Sequence, residues 1–272
     1  MRVSRLVLAS ALLLGAACAG EVTDSEVLTF EEFKAQAYQE PDTGVFIING
    51  DELAEDEDQL REVYDRYLET VDTGGIGSSS HESIVNTRQG VWDRWPADQA
   101  LNLTYCVAKA GTQGFSATEY AQVVAAMESA TASWELPANI DFIHGSDQRC
   151  NRRNNDVVFN VGRVCTGQFL ARAFFPSTRR FNRELLIDCT SFGSIAPWTL
   201  AGVLRHELGH TIGLRHEHTR PESGACFENN KWAALTTYDA RSVMHYPQCN
   251  GTQAGDLVLT TRDRQGAAML YP

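Results

Sequence analysis

His206-Glu207-Leu208-Gly209-His210-Thr211-Ile212-Gly213-Leu214-Arg215-His216 sets three histidines and a glutamate at the spacing of a catalytic zinc site. The apolar-rich run Thr199–Leu214 predicts a helix. On it His206 and His210 lie four residues apart, one above the other, so both imidazoles can reach one ion. Glu207 is rotated about 100 degrees around the axis, beside the water to be activated and outside the ligand positions, which is where a general base belongs. Gly213 permits positive φ, so the chain can leave the helix and return His216 as a third ligand. A continued helix would turn His216 away. The pattern implies metal-assisted hydrolysis with Zn2+ on His206, His210 and His216, and Glu207 as catalytic base. His218, without such a spacing constraint, reads as a surface histidine beyond the site.

The run HELGHTIGLRHEH resembles the extended zinc motif of metzincin endopeptidases, in particular the astacin pattern, in which a glutamate follows the third histidine. Ser242-Val243-Met244-His245-Tyr246-Pro247 resembles the Met-turn of that family. The stretches RHEHTRPE and VMHYPQCNGT are also similar to small bacterial HEIGH-type metallopeptidases, although the central motif here reads HELGH. The resemblance implies that Met244 forms an apolar floor under the metal. It gives Tyr246 the part of a switchable ligand or oxyanion donor, and it implies that Glu217 ties the mature amino terminus or a nearby loop. Taken alone, Met244 and Tyr246 are ordinary core fillers; beside a zinc site, a tyrosine hydroxyl is a plausible donor to developing negative charge.

Two arginines in Met1–Arg5 and the twelve-residue apolar run Leu6–Ala17 form an export signal too short to span a bilayer. Leu14–Cys18 resembles a lipoprotein signal with Cys18 as the lipid-bearing residue, whereas Ala17-Cys18-Ala19 offers ordinary secretory cleavage. Both routes lead to secretion or to a bacterial cell envelope. The chain divides into 1–19 as signal, 20–85 as acidic propeptide and linker, and 86–272 as the peptidase domain. Residues 21–85 carry 18 Asp or Glu against 3 Lys or Arg, while 86–272 carry 17 against 18, so the net charge of −12 belongs to the front segment and says nothing of substrate charge.

Within that segment Glu31–Tyr38 and Glu55–Leu68 predict helices, with Val45–Asp51 between them as a strand-like run ending in a turn. A carboxylate delivered to the zinc would displace the hydrolytic water. Phe46–Asp51 resembles the latency segment of astacin-like zymogens, which places Asp51 as the latency ligand. No cysteine follows Cys18 in this segment to act as a switch, and Gly74–Ser80 suits a processing linker.

Beyond Cys18 an even six cysteines remain, consistent with three disulfides in an exported protein. Short loop closure favours Cys150–Cys165 and Cys226–Cys249, leaving Cys106 with Cys189. Strands are expected at Leu101–Ala108, Ile140–His144, Asp156–Val161 and Glu184–Asp188, and a helix at Ala117–Ser133. That order predicts an α+β, metzincin-like zincin with a twisted sheet, a zinc-binding active-site helix and a C-terminal subdomain held by disulfides.

The expected activity is exported zinc endopeptidase, made as a zymogen and acting on protein or peptide substrates with its own propeptide as partner. Alternatives are a zinc amidase acting on cell-wall peptides and a non-catalytic surface-binding protein of the same fold. The basic clusters Arg149–Arg153 and Arg179–Arg183 sit in a near-neutral region without a nucleic-acid-binding motif, so no nucleic-acid partner is expected. Membrane association is expected only through lipid on Cys18.

Overall fold

Asn49-Gly50, with φ of 53° and 101°, turns one short strand back on another and so puts Asp51 at a hairpin tip. The computed structural model describes residues 27–72 and 83–272; the signal, Cys18 and the Gly74–Ser80 linker lie outside them. The front segment opens with α1 (Phe30–Gln36), started by a capping box between Thr29 and Glu32. Strands β1 (Tyr38–Gln39), β2 (Phe46–Ile48) and β3 (Glu52–Ala54) form an antiparallel sheet, followed by α2 (Glu57–Asp72). Phe30, Phe46, Ile48, Ala54 and Leu60 close a small core of their own between these elements.

The second body begins with β4 (Ile84–Arg88) and β5 (Val91–Trp92), then the short α3 (Ala97–Ala100), β6 (Leu103–Val107) and α4 (Ala117–Glu135). Next come β7 (Phe142–His144), β8 (Phe159–Val164), β9 (Ala171–Arg172), β10 (Glu184–Asp188), α5 (Leu200–Thr211), β11 (Trp232–Ala234) and α6 (Thr261–Leu270). The main sheet has the order β7-β6-β8-β10-β9, parallel except for the antiparallel edge strand β9. Helices α4 and α5 pack on each other, and Trp134 Nε1 donates to Arg205 O to join them. This is the mixed α and β architecture expected, with α5 as the helix bearing the HELGH run. Among the described residues, no helix is long and apolar enough to cross a membrane.

Strand β4 was not expected. It pairs with β11 through Val85 and Ala233, its Val85 is fully buried in the main core, and Arg215 N donates to Ile84 O. Ser83 is fixed to Thr236, 153 residues away, by its backbone N–H at 2.7 Å. Residues 83–88 are thus woven into the second body.

Two of the three expected disulfides are corrected. The bridges are Cys106–Cys150, Cys165–Cys189 and Cys226–Cys249. Parallel pairing decides the second of these: β8 and β10 run side by side with Val164 opposite Asp188, so the next residues, Cys165 and Cys189, emerge together with Cα atoms 5.0 Å apart. Loop length is a weak guide when sheet register sets the distances.

Candidate metal centre

Helix α5 starts at Thr199, whose hydroxyl accepts from Gly202 N, and it is enclosed on nearly every side. His206, Glu207 and His210 are all buried on it. The helix gives way to Gly213, at φ 103°, where a Cβ would run into Asp93 O; a residue other than glycine fits neither the torsion nor the space. Past this turn His216 comes back to the helix, with its Nε2 3.3 Å from His206 Nε2. Tetrahedral zinc with bonds near 2.05 Å requires ligand nitrogens roughly 3.3 Å apart.

Each imidazole is oriented from behind. Nδ1–H of His206 donates to Val243 O at 2.7 Å, that of His210 to Leu214 O at 2.9 Å, and that of His216 to Glu228 Oε1 at 2.7 Å. With the Nδ1 protons engaged, loss of the Nε2 protons on metal binding would leave three lone pairs aimed at one point. Asp51 reaches that point from the front segment: its oxygens lie 3.1 Å from His206 Nε2, 3.0 Å from His216 Nε2 and 3.7 Å from His210 Nε2. His210 Nε2, Asp51 Oδ1 and Glu207 Oε2 are buried without a hydrogen-bond partner. Unpaired buried polar atoms are costly, and a cation among three imidazoles and a carboxylate would satisfy the first two. The residues therefore fit zinc.

Burial, with the nearby Asp51 charge adding to it, lifts the Glu207 carboxyl well above the usual carboxylate range. Burial pushes Asp51 the same way, but the charge of His216 and hydrogen bonds from His206 and His216 outweigh it and hold Asp51 well below that range. Tyr246 stacks on His206 with ring centroids 5.5 Å apart and lies 4.5 Å from the His216 ring, and burial together with the nearby Asp51 charge pushes its hydroxyl well above the usual tyrosine range. Gly50 leaves room for this side chain, since a Cβ there would come within 2.8 Å of the Tyr246 hydroxyl. Met244 is buried beneath α5, and a Cβ on Gly209 would collide with its sulfur. Glu217 Oε1 accepts from Asp239 N at 2.9 Å and Arg220 Nη1 at 3.2 Å, tying down a neighbouring loop; burial pushes its carboxyl up to about 8.

The structure brings His206, Glu207, His210, His216, Tyr246, Met244 and Asp51 to one place. His218 differs from its expected surface position: it is 2 % exposed, and burial pushes it down to about 4. Four residues at the site escaped notice in the sequence. Arg215 donates through Nε and Nη2 to both oxygens of Glu52, and also to Glu228 and Asn229. A buried charge shows no periodicity, and its partners lie 13 to 163 residues away, so only the adjoining motif could have drawn attention to Arg215.

The acidic front segment meets basic residues of the second body at several points. Glu40 pairs with fully buried Arg172 at 2.8 and 2.9 Å, Glu55 with Arg179 at 3.1 Å, and Glu62 with Lys231 at 2.8 Å. The two basic clusters divide their roles. Arg152 and Arg179 contact the front segment, whereas Arg180 and Arg183 donate to backbone carbonyls of their own body.

No known protein-family model matches the chain. It is 25 % identical to Protein SpAN of Strongylocentrotus purpuratus over 246 residues, covering 83 % of this chain and 34 % of that protein. To Blastula protease 10 of Paracentrotus lividus it is 32 % identical over 108 residues, covering 31 % of this chain and 17 % of the relative. The chain thus spans about a third or less of the length of these curated relatives. This chain resembles astacin-like zinc proteases. Among solved structures, myroilysin is similar with a TM-score of 0.45 and 18 % identity over 70 % of this chain and 98 % of that one. High choriolytic enzyme 1, a hatching enzyme zinc-protease from Oryzias latipes, matches with a TM-score of 0.43 and 19 % identity over 66 % of this chain and 94 % of that one.

Proposed function

We propose that this chain is an exported zinc endopeptidase made as a zymogen. The observation that carries the reading is the convergence of three Nε2 atoms beside Glu207, with the Asp51 carboxylate of the front segment laid across them. His206, His210 and His216 would hold the ion. When bound, zinc acidifies a water and polarises a peptide carbonyl. Glu207 takes the proton from the attacking water and returns it to the leaving amine, a shuttle suited to a buried carboxylate of raised proton affinity. Tyr246 donates its hydroxyl hydrogen bond to the carbonyl oxygen as charge develops there.

In the zymogen, Asp51 takes the place that water and substrate need, and the Gly50 turn before it sits against the Tyr246 hydroxyl. Activation requires the front segment to leave. The pairing of β4 with β11 and the Ser83–Thr236 hydrogen bond support a cleaved bond before Ser83, a few residues upstream of the 85/86 boundary that charge suggests. Export through the signal at 1–19, with lipid on Cys18 or ordinary cleavage there, accords with three disulfides, which form in oxidising compartments.

The test is intact and N-terminal mass analysis of the exported protein during activation, together with zinc content and casein cleavage with and without chelator. Zinc-dependent activity rising as the front segment disappears is the expected result. Casein left intact by a zinc-loaded, processed chain would reject the endopeptidase reading, and cleavage of wall peptides instead would point to the amidase.

A further inference from the structure

Glu228 is a buried acidic side chain behind the metal centre that meets four donors and shares one of them, Arg215 Nη2, with the Glu52 carboxylate. Its Oε1 accepts from His216 Nδ1 at 2.7 Å and His218 Nε2 at 3.2 Å; its Oε2 accepts from Thr219 Oγ1 at 2.6 Å and Arg215 Nη2 at 2.7 Å. Four donors on two oxygens use the whole accepting capacity of a carboxylate. The set includes His216, whose other nitrogen points into the site, and His218, whose other nitrogen meets the backbone N–H of Tyr246.

The three ligand histidines are not held alike. His206 and His210 donate to backbone carbonyls, those of Val243 in the 242–247 segment and of Leu214 just past the Gly213 turn. His216 follows the Gly213 turn, outside the helix, and is the one whose Nδ1–H goes to a carboxylate. A charged acceptor fixes the tautomer and raises the donor strength of the opposite nitrogen. His218 carries the same carboxylate a step further. Its Nε2–H donates to Glu228, its Nδ1 accepts from the backbone N–H of Tyr246 at 3.2 Å, and its ring stacks against those of both His216 and Tyr246 at 4.7 and 4.8 Å.

We propose that Glu228 is a positioning residue of the metal centre, holding His216 with Nε2 toward the ion and, through His218, holding the backbone from which Tyr246 projects. The inference rests on the reading of His206, His210 and His216 as zinc ligands. Glu228, His216 and His218 could alternatively gather a second metal ion. The 2.7 Å contact from His216 Nδ1 argues for a proton there, and a second ion would have to displace it.

The test uses the full-length chain and does not depend on peptidase activity. Zinc affinity, measured by competition with a chromogenic chelator, should fall roughly 10- to 100-fold in Glu228→Gln, as is usual for a lost outer partner of a ligand histidine. Glu228→Asp should recover less than the wild type but more than the amide. His218→Gln should leave zinc affinity within about threefold of wild type while abolishing the slow hydrogen exchange of the Tyr246 amide. Unchanged zinc affinity in folded Glu228→Gln would overturn the proposal. If that variant does not fold, long-range proton–nitrogen NMR of the zinc-loaded wild type decides: a protonated, strongly downfield His216 Nδ1 is expected, and an unprotonated Nδ1, or two zinc ions per chain, overturns the assignment. Loss of zinc affinity in Glu228→Gln alongside a wild type that cleaves no peptide would leave this inference standing and reject the protease reading alone.

Discussion

Arg215 Nε and Nη2 grip the two carboxylate oxygens of Glu52 at 3.1 and 3.0 Å, in a pair buried on both sides. Glu52 immediately follows Asp51, and Arg215 immediately precedes His216. The front segment is therefore held by two adjacent carboxylates, one against the three histidines and one on the residue beside His216. Glu40 on Arg172 repeats the bidentate arrangement at the far edge of the main sheet.

Asp51→Ala should give a chain that cleaves casein before any processing, because no carboxylate then lies across the ligands. Glu52→Ala should keep Asp51 but loosen the lock, since removing one partner of a buried pair costs about 3–5 kcal/mol. The expected phenotype is faster activation and poorer inhibition by a separate 20–80 peptide added to the processed enzyme. Unaltered latency in Asp51→Ala would remove that residue from the mechanism, and equal inhibition by wild-type and Glu52→Ala peptides would do the same for the second lock.

Glu207→Gln is nearly isosteric and touches none of the three ligand nitrogens. It should keep one zinc per chain and the wild-type melting temperature within a few degrees, while lowering kcat by about 10²-fold or more, the scale of general-base catalysis. Full hydrolysis by the folded, zinc-loaded variant would assign the base elsewhere.

The gathering of His206, His210 and His216 was legible because these residues lie close in sequence: a four-residue helical repeat and a glycine turn can be reasoned from backbone geometry alone. The NG turn before Asp51 was legible for the same reason, with a strand-like run ending where the hairpin turns. What could not be read depends on contacts across the fold. The parallel register of β8 and β10 chose the partner of Cys165, and the pairing of β4 with β11 ties residues 84–86 to a strand about 150 residues away. Strand β4 reads Ile-Val-Asn-Thr-Arg, apolar only at its first two positions, so neither an alternation nor an apolar run announces it. His218 looked like a surface residue because nothing local predicts a carboxylate ten residues on folding back over it.

The Cys226–Cys249 bridge closes a loop with a sequence separation of 23 that carries Glu228 near one end and Met244 and Tyr246 near the other. Opening it with paired serines should cost about 3 kcal/mol by the loop-entropy relation. Because both ends of that loop serve the site, zinc affinity should weaken in parallel with the melting temperature. A variant that melts lower but binds zinc as tightly as wild type would show that the bridge supports the fold without supporting the site.

Gly213→Ala addresses the turn that makes the third ligand available. The new methyl group would meet Asp93 O at a φ of 103°, where an alanine is strained even in open space. Asp93 cannot readily yield, because its carboxylate holds Ser177 N and Oγ at 2.8 and 2.7 Å and Asn86 Nδ2 at 2.8 Å. The strain should therefore be relieved by moving the 213–216 segment, which carries His216 away from His206 and His210. Zinc affinity is expected to drop by about 10²-fold, matching roughly 3 kcal/mol of strain and lost ligation, with a smaller fall in melting temperature. If Gly213→Ala binds zinc like the wild type, the turn does not set the position of His216.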